Sequence, residues 1–223
     1  MTRVAVILSG CGVFDGAEIH EATATLLALD RAGVEVVIAA PDIDQMHVMD
    51  HQAGEPSTVP ARNVRTESAR IARGPVADVA ALKAGDFDAV ILPGGFGAAK
   101  NLCSFAVDGS GCTANPEVAT FLKAMNASGK VIGAMCIAPV LIARVFGEDK
   151  PIKLTIGSDA GTAAALCEMG ALHVEAPATG VVVDEDNLVV TTPAYMLADG
   201  IAEVFDGVSQ LVAKVLELTN RNH

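Results

Sequence analysis

The chain has 223 residues, 51% of them apolar and 19% charged, with a net charge of −12. That field repels phosphate backbones and anionic lipid, and no basic stripe reverses it, so neither nucleic acid nor a membrane surface is an expected partner. No apolar stretch approaches the ~18 residues of a membrane span.

Length and apolar content suit one α/β domain over residues 1–223. Tryptophan is absent and aromatics are scarce, so Val, Ile, Leu and Ala must fill the interior. Such a core fits a mostly parallel sheet covered on both faces. The apolar run near the start is short and is broken by Ser9-Gly-Cys-Gly12, so it reads as a first strand and not as a targeting segment. Five cysteines at 11, 103, 112, 136 and 167 form no CxxC pair. They read as reduced thiols, and the expected location is cytoplasmic.

In chain order, Val4 to Ser9 is the first strand. Asp15 is the expected N-cap of a helix running to Ala32, with Glu18 at the reciprocal position and Gly33 as the stop. Val34 to Ala40 is the second strand, ended by Pro41. Residues 42–73 are polar and read as an insertion with a helix around Val64 to Ala72, covering a pocket or forming a subunit contact. Val76 to Ala84 looks helical. Asp88 to Leu92 is a buried strand leading into Pro93-Gly-Gly-Phe-Gly97. A helix over Pro116 to Ser128 precedes a strand from Val131, which runs into Cys136; Val140 to Phe146 continues as helix. A strand over Leu154 to Ile156, a helix from Gly161 to Met169, a hairpin over 180–192 and a last helix from Leu197 to Leu218 complete the pattern. The alternation of strands and helices predicts a doubly wound α/β sheet with sites at the carboxyl ends of its strands.

Three such ends carry chemistry. In Lys130-Val-Ile-Gly-Ala-Met-Cys-Ile-Ala-Pro139, an apolar strand meets a cysteine flanked by Ala134 and Ala138, and Pro139 opens a helix. That pattern fits a nucleophile elbow. Amides of the nascent helix should favour a thiolate and lower the Cys136 pKa; the alternative is a buried core cysteine. In the second loop, Gly95 and Ile137 amides together would face a developing oxyanion. Neither GxGxxG nor GxxxxGK[ST] is present, so no phosphate loop is expected. The third loop carries Glu18 and Glu21 beside His20. Ile19, Ala22, Leu26 and Leu29 make one helical stripe, with Glu21 on its flank and His20 facing water. A carboxyl next to the sulfur can move its proton if burial raises its pKa. Gly10, Cys11, Glu18, Phe96 and Asn101 are expected around the pocket. His47 and His51 have i,i+4 spacing but no evident third ligand, so no metal site is expected.

These loops, in this order, resemble the PfpI / Parkinson's-disease deglycase superfamily, whose fold is that of class I glutamine amidotransferases. Val6-Ile-Leu-Ser-Gly-Cys-Gly-Val-Phe-Asp-Gly-Ala-Glu-Ile-His-Glu21, Leu92-Pro-Gly-Gly-Phe-Gly-Ala-Ala-Lys-Asn-Leu102, Met135-Cys-Ile-Ala-Pro139 and Thr191-Thr-Pro-Ala-Tyr-Met-Leu197 are similar to its ElbB branch, named for isoprenoid (lycopene) biosynthesis. The resemblance implies a flavodoxin-like three-layer sandwich, a homodimer, a Cys136 nucleophile and Glu21 as its carboxylate partner. It also implies a cofactor-independent glyoxalase acting on a small dicarbonyl. The departure is Ile137, which stands where amidotransferase-like relatives place a histidine near the nucleophile, and Thr155-Ile-Gly-Ser-Asp159 offers none either. This disfavours amidotransferase or peptidase chemistry and leaves redox sensing or a chaperone surface at Cys136 as the non-enzymatic alternative.

Overall fold

Alternation at period two decides which face of the sheet each strand residue covers. In the computed structural model, which describes residues 1–58 and 60–221, the strands are β1 (Arg3–Ile7), β2 (Glu35–Ala40), β3 (Met49–Asp50), β4 (Glu55–Pro56), β5 (Ala77–Asp78), β6 (Ala89–Leu92), β7 (Val131–Met135), β8 (Lys153–Leu154), β9 (Leu172–His173), β10 (Val182–Asp184) and β11 (Val189–Thr192). The helices are α1 (Ile19–Arg31), α2 (Val64–Ala72), α3 (Phe96–Lys100), α4 (Phe105–Asp108), α5 (Pro116–Ala127), α6 (Pro139–Phe146), α7 (Ala160–Glu168) and α8 (Ile201–Arg221).

Among the described residues the main sheet has seven strands in the order β10-β11-β7-β6-β1-β2-β5. Neighbours are parallel except β10 against β11. Ala5, Ile7, Val90, Leu92, Ile132 and Ala134 pack on one face with Leu122 and Met125 of α5 and Leu141 of α6. Val4, Val6, Leu8, Ala89, Ile91 and Val131 pack on the other with Ala22 and Leu29 of α1 and Val204, Leu211 and Val215 of α8. The result is the flavodoxin-like three-layer sandwich. Every residue of β6 and β7 is buried, as strands covered on both faces must be.

Several expectations change. The N-cap of α1 is Glu18, not Asp15: the Glu18 carboxylate accepts the Glu21 N–H at 2.7 Å. Asp15 instead accepts the Met49 N–H at 2.8 Å, tying the insertion to the first strand-end loop. Residues 76–84 are not a helix. Ala77 and Asp78 pair with Ala39 and Ala40 at the sheet edge, and the Asp78 side chain starts only a single 3₁₀ turn over Val79–Ala81. Short runs rich in Val and Ala fit either state, and here the open edge of β2 wins. The last helix starts at Ile201, because Ala194–Met196 form a separate 3₁₀ turn after β11.

Candidate active site at the strand ends

β7 ends at Met135, and the chain turns at Cys136 with φ +57° while its N–H still bonds the Thr192 carbonyl at 3.0 Å. A side-chain-bearing residue held at positive φ costs on the order of 1–3 kcal/mol, and such strain persists where neighbours over-determine it. Here β11 fixes the Cys136 N–H on one side and Pro139 opens α6 on the other. Cys136 is 8% exposed.

Glu21, in the first turn of α1, is 0% exposed. Its Oε2 accepts the Gly94 N–H at 2.9 Å, its Oε1 accepts the Tyr195 N–H at 3.2 Å, and it hydrogen-bonds the Cys136 thiol. The backbone must come this close for the pair to exist. A Cβ on Gly94 would lie 2.5 Å from the Cys136 Cβ and 2.7 Å from the Glu21 Oε2, and one on Gly95, at φ +91°, would lie 2.4 Å from the Glu18 nitrogen.

The electrostatics follow from burial. Desolvation, then the Glu18 charge, push the Glu21 carboxyl up to about 8; the Tyr195 N–H, the Cys136 thiol and the Gly94 N–H work against them. Desolvation, then Glu21, push the Cys136 thiol well above its ordinary range, opposed by the Gly95 and Ile137 N–H groups that bond its sulfur. The expected lowering of the thiol pKa is therefore corrected. Amides at the elbow do favour the thiolate, but burial beside a carboxyl outweighs them. At neutral pH the pair is protonated, and a thiolate forms only as its proton passes to a neighbouring base.

Cys136 lines a cavity of about 410 Å³ walled by Glu18, Phe96, Phe105, Asp159 and Tyr195 with Gly95 and Ile137, while Glu21 lies buried behind the sulfur. Among the described residues no lysine, arginine or histidine lines it. Glu18 and Phe96 stand where the sequence puts them. Gly95 and Ile137 direct their amides at the sulfur. Gly10, Cys11 and Asn101 do not line this cavity. The Gly10 N–H bonds Ser68 Oγ at 3.0 Å. Cys11 faces a different hollow of about 580 Å³ beside Leu26 and Arg70. Asn101 is a buried strut that donates to the Ser9 and Asp15 carbonyls at 2.8 and 2.9 Å and accepts the Met46 N–H at 2.9 Å. Among the described residues, the insertion 42–73 supplies none of the cavity wall; Gln45 and Met46 buttress that strut from behind.

Sequence reasoning does not assign Phe105, Asp159 or Tyr195 to the pocket, although Tyr195 falls in the Thr191–Leu197 stretch that carries the resemblance and Asp159 ends the Thr155–Asp159 stretch. Tyr195 belongs to a fourth strand end, after β11, where Ala194 takes φ +45° and aims the Tyr195 N–H at Glu21. Asp159 announces itself only as the N-cap of α7. His20 is half-exposed, with Nδ1 2.7 Å from the Tyr195 hydroxyl. Among the described residues no group of three or more His, Cys, Asp or Glu is arranged for a metal ion.

Residues 3–196 match the model of the DJ-1/PfpI family. The chain belongs to this family. A human relative, glutamine amidotransferase-like class 1 domain-containing protein 3, mitochondrial, is 51% identical over 98% of the chain and 84% of its own length. The rat ES1 protein homolog, mitochondrial, is also 51% identical, over 98% of the chain and 85% of its own length. Among solved family structures, an isoprenoid biosynthesis protein with an amidotransferase-like domain from Ehrlichia chaffeensis superposes with a TM-score of 0.91 at 35% identity, covering 98% of this chain and 99% of that one. The mitochondrial names of both mammalian relatives overturn the cytoplasmic expectation. Unpaired thiols report a reducing environment, not which compartment supplies it.

Proposed function

We propose that the protein is a cofactor-independent glyoxalase that converts glyoxal or methylglyoxal to the hydroxy acid. The observation that carries the reading is the contact between Cys136 and Glu21, a buried carboxyl whose pKa of about 8 puts both of its protonation states within reach near neutral pH. In the scheme, the pair reacts after losing one proton: the Glu21 carboxylate takes the Cys136 proton as sulfur attacks the aldehyde carbon and passes it to the developing alkoxide, giving a hemithioacetal and leaving Glu21 ionised. Glu21 takes the proton from that carbon and, through the enediol, returns one to the neighbouring carbon. The first carbon is oxidised to a thioester as the second is reduced to an alcohol. Water cleaves the thioester and frees the sulfur. Gly95 and Ile137 amides, already aimed at the sulfur, lie beside the carbon that bonds to it and its developing oxyanion.

The wall chemistry supports an uncharged substrate. Glu18 and Asp159 would repel a carboxylate, and no lining cation is present among the described residues to hold one. The same wall, without a lining histidine, gives no support to glutamine hydrolysis or peptide cleavage. Peroxide sensing at Cys136 gains little support, since burial raises the thiol and the thiolate is the reactive form.

The test is a kinetic comparison of the wild type and Cys136→Ala on glyoxal, methylglyoxal and glutamine. Turnover of the dicarbonyls, absent for glutamine and abolished in the variant, is the expected result. Full dicarbonyl turnover by Cys136→Ala would sink the scheme.

A further inference from the structure

Cys103 and Cys112 bracket a surface segment that the proposed chemistry does not use. The chain around them folds back on itself: Cys103 and Ala114 form an antiparallel bridge, with Ser104 N–H to the Thr113 carbonyl at 3.0 Å and Asn115 N–H to the Leu102 carbonyl at 2.8 Å. Residue 112 lies two positions before Ala114, the bridge partner of Cys103, so the chain returns it to the neighbourhood of Cys103. Both thiols point into the same core, with 4% and 2% exposure, and the two sulfurs share a hydrogen bond. Cys103 Sγ also lies 3.4 Å from the Ala98 carbonyl, an alternative acceptor for its one proton, within α3, the helix whose Phe96 and Ala99 line the cavity.

The contact makes the two sulfurs unequal. Cys103, donating toward Cys112, is pushed up, chiefly by that bond and then by burial. Cys112 is lowered by the same bond, and the Arg144 guanidinium adds to this against its burial. Cys112 is thus the sulfur better able to act as a nucleophile, and Cys103 is held beside it as the resolving thiol.

We propose that Cys103 and Cys112 are a reversible dithiol–disulfide pair, oxidised by hydroperoxides, whose closure clasps segment 104–111 and with it Phe105 in the cavity wall. The Cys112 thiolate attacks one peroxide oxygen. The O–O bond breaks, the other oxygen leaves with a proton as water or alcohol, and Cys112 becomes a sulfenic acid. The Cys103 sulfur then attacks the Cys112 sulfur; the S–S bond forms, and hydroxide leaves with the Cys103 proton as water. Two thiols lose two electrons, and the peroxide bond gains them. A dithiol reductant reverses the change. Because 104–111 lies on the surface between its two anchors, local opening of this segment is the route by which a small oxidant reaches buried sulfur.

The test is non-reducing peptide mapping of the full wild-type chain after mild hydrogen peroxide, with free thiols blocked by N-ethylmaleimide during unfolding. The expected result is a linked peptide pair joining Cys103 to Cys112 that dithiothreitol separates. In Cys103→Ser, a dimedone adduct should accumulate on Cys112 in place of the link. Recovery of both residues as alkylated free thiols, under peroxide that has fully oxidised the exposed Cys167, would overturn the proposal. Linkage of either one to a different cysteine would do so as well. The wild-type map needs no variant, so a poorly folding serine form does not blunt the test. Nor does it depend on glyoxalase turnover.

Discussion

Glu21→Gln should replace a pH-dependent cost of folding with a pH-independent one. In the folded chain the carboxyl has a pKa of about 8 against an ordinary 4.5, so between those values the folded state holds a proton that the unfolded chain has lost. Stability contributed by this group is therefore fully present below pH 4.5 and falls as pH rises toward 8. A rise of about 3.5 pH units, at about 1.4 kcal/mol each, sets an upper bound of roughly 5 kcal/mol. The glutamine form loses this dependence but meets a different problem. Both Glu21 oxygens accept backbone N–H groups, from Gly94 and Tyr195, and an amide offers only one oxygen. One buried donor is left unpaired at every pH, costing about 1–3 kcal/mol. The variant should thus be less stable than the wild type near pH 5 and more stable near pH 8, with the two curves crossing between. Urea denaturation at intervals from pH 5 to 8, below the range where ordinary thiols titrate, measures the gap directly. A gap that stays constant across that range would show that Glu21 is ionised in the folded chain throughout, and the account of the site would fail.

Three further outcomes follow from the same geometry. The kcat/KM for methylglyoxal should rise with pH around a midpoint near 8, as the doubly protonated Cys136–Glu21 pair loses its first proton; Glu18→Gln, which keeps the cap acceptor for the Glu21 N–H but removes a charge that raises Glu21, should move that midpoint lower. A midpoint unmoved by Glu18→Gln would mean that this charge does not reach the pair. Gly94→Ala would place its Cβ 2.5 Å from the Cys136 Cβ, and steady-state kinetics should show a loss of about 10²-fold or more from misplaced groups, with thermal melts showing a destabilisation of about 1–3 kcal/mol. Asn101→Ala should do the reverse. It should cost about 2–3 kcal/mol in denaturation through its three lost hydrogen bonds, with kcat nearly unchanged, because the strut stands behind the cavity.

The strands were legible because burial on both faces leaves an unbroken apolar run, and the elbow because its small residues and Pro139 mark a sharp turn in the sequence itself. The α1 register was harder to read. Its apolar stripe begins at Ile19, which is 44% exposed, while the face turned inward carries Glu21 and Thr25 beside Ala22 and Leu29. Hydrophobic periodicity cannot count a buried glutamate held by two backbone N–H groups, or a threonine whose hydroxyl bonds the Glu21 carbonyl at 2.8 Å. The inward face is therefore rotated from the one the pattern suggests, and the rotation brings Glu21 to the sulfur.

The same limit explains Tyr195, and it reaches the centre of the site. The groups that hold Cys136 and Glu21 are mostly main-chain: the N–H groups of Gly94, Gly95, Ile137 and Tyr195. A backbone donor has no residue type of its own. It leaves a trace only where a side chain would obstruct it, and so Gly94 and Gly95 were visible as a pair of glycines after a buried strand while the Tyr195 N–H was not. Ala194 at φ +45° does the equivalent work after β11 without a glycine to announce it. Two of the four donors were thus signalled by glycine and a third, at Ile137, by adjacency to the elbow. The fourth depends on how β11 is placed beside β7, which is a property of the folded sheet and of no local stretch of sequence.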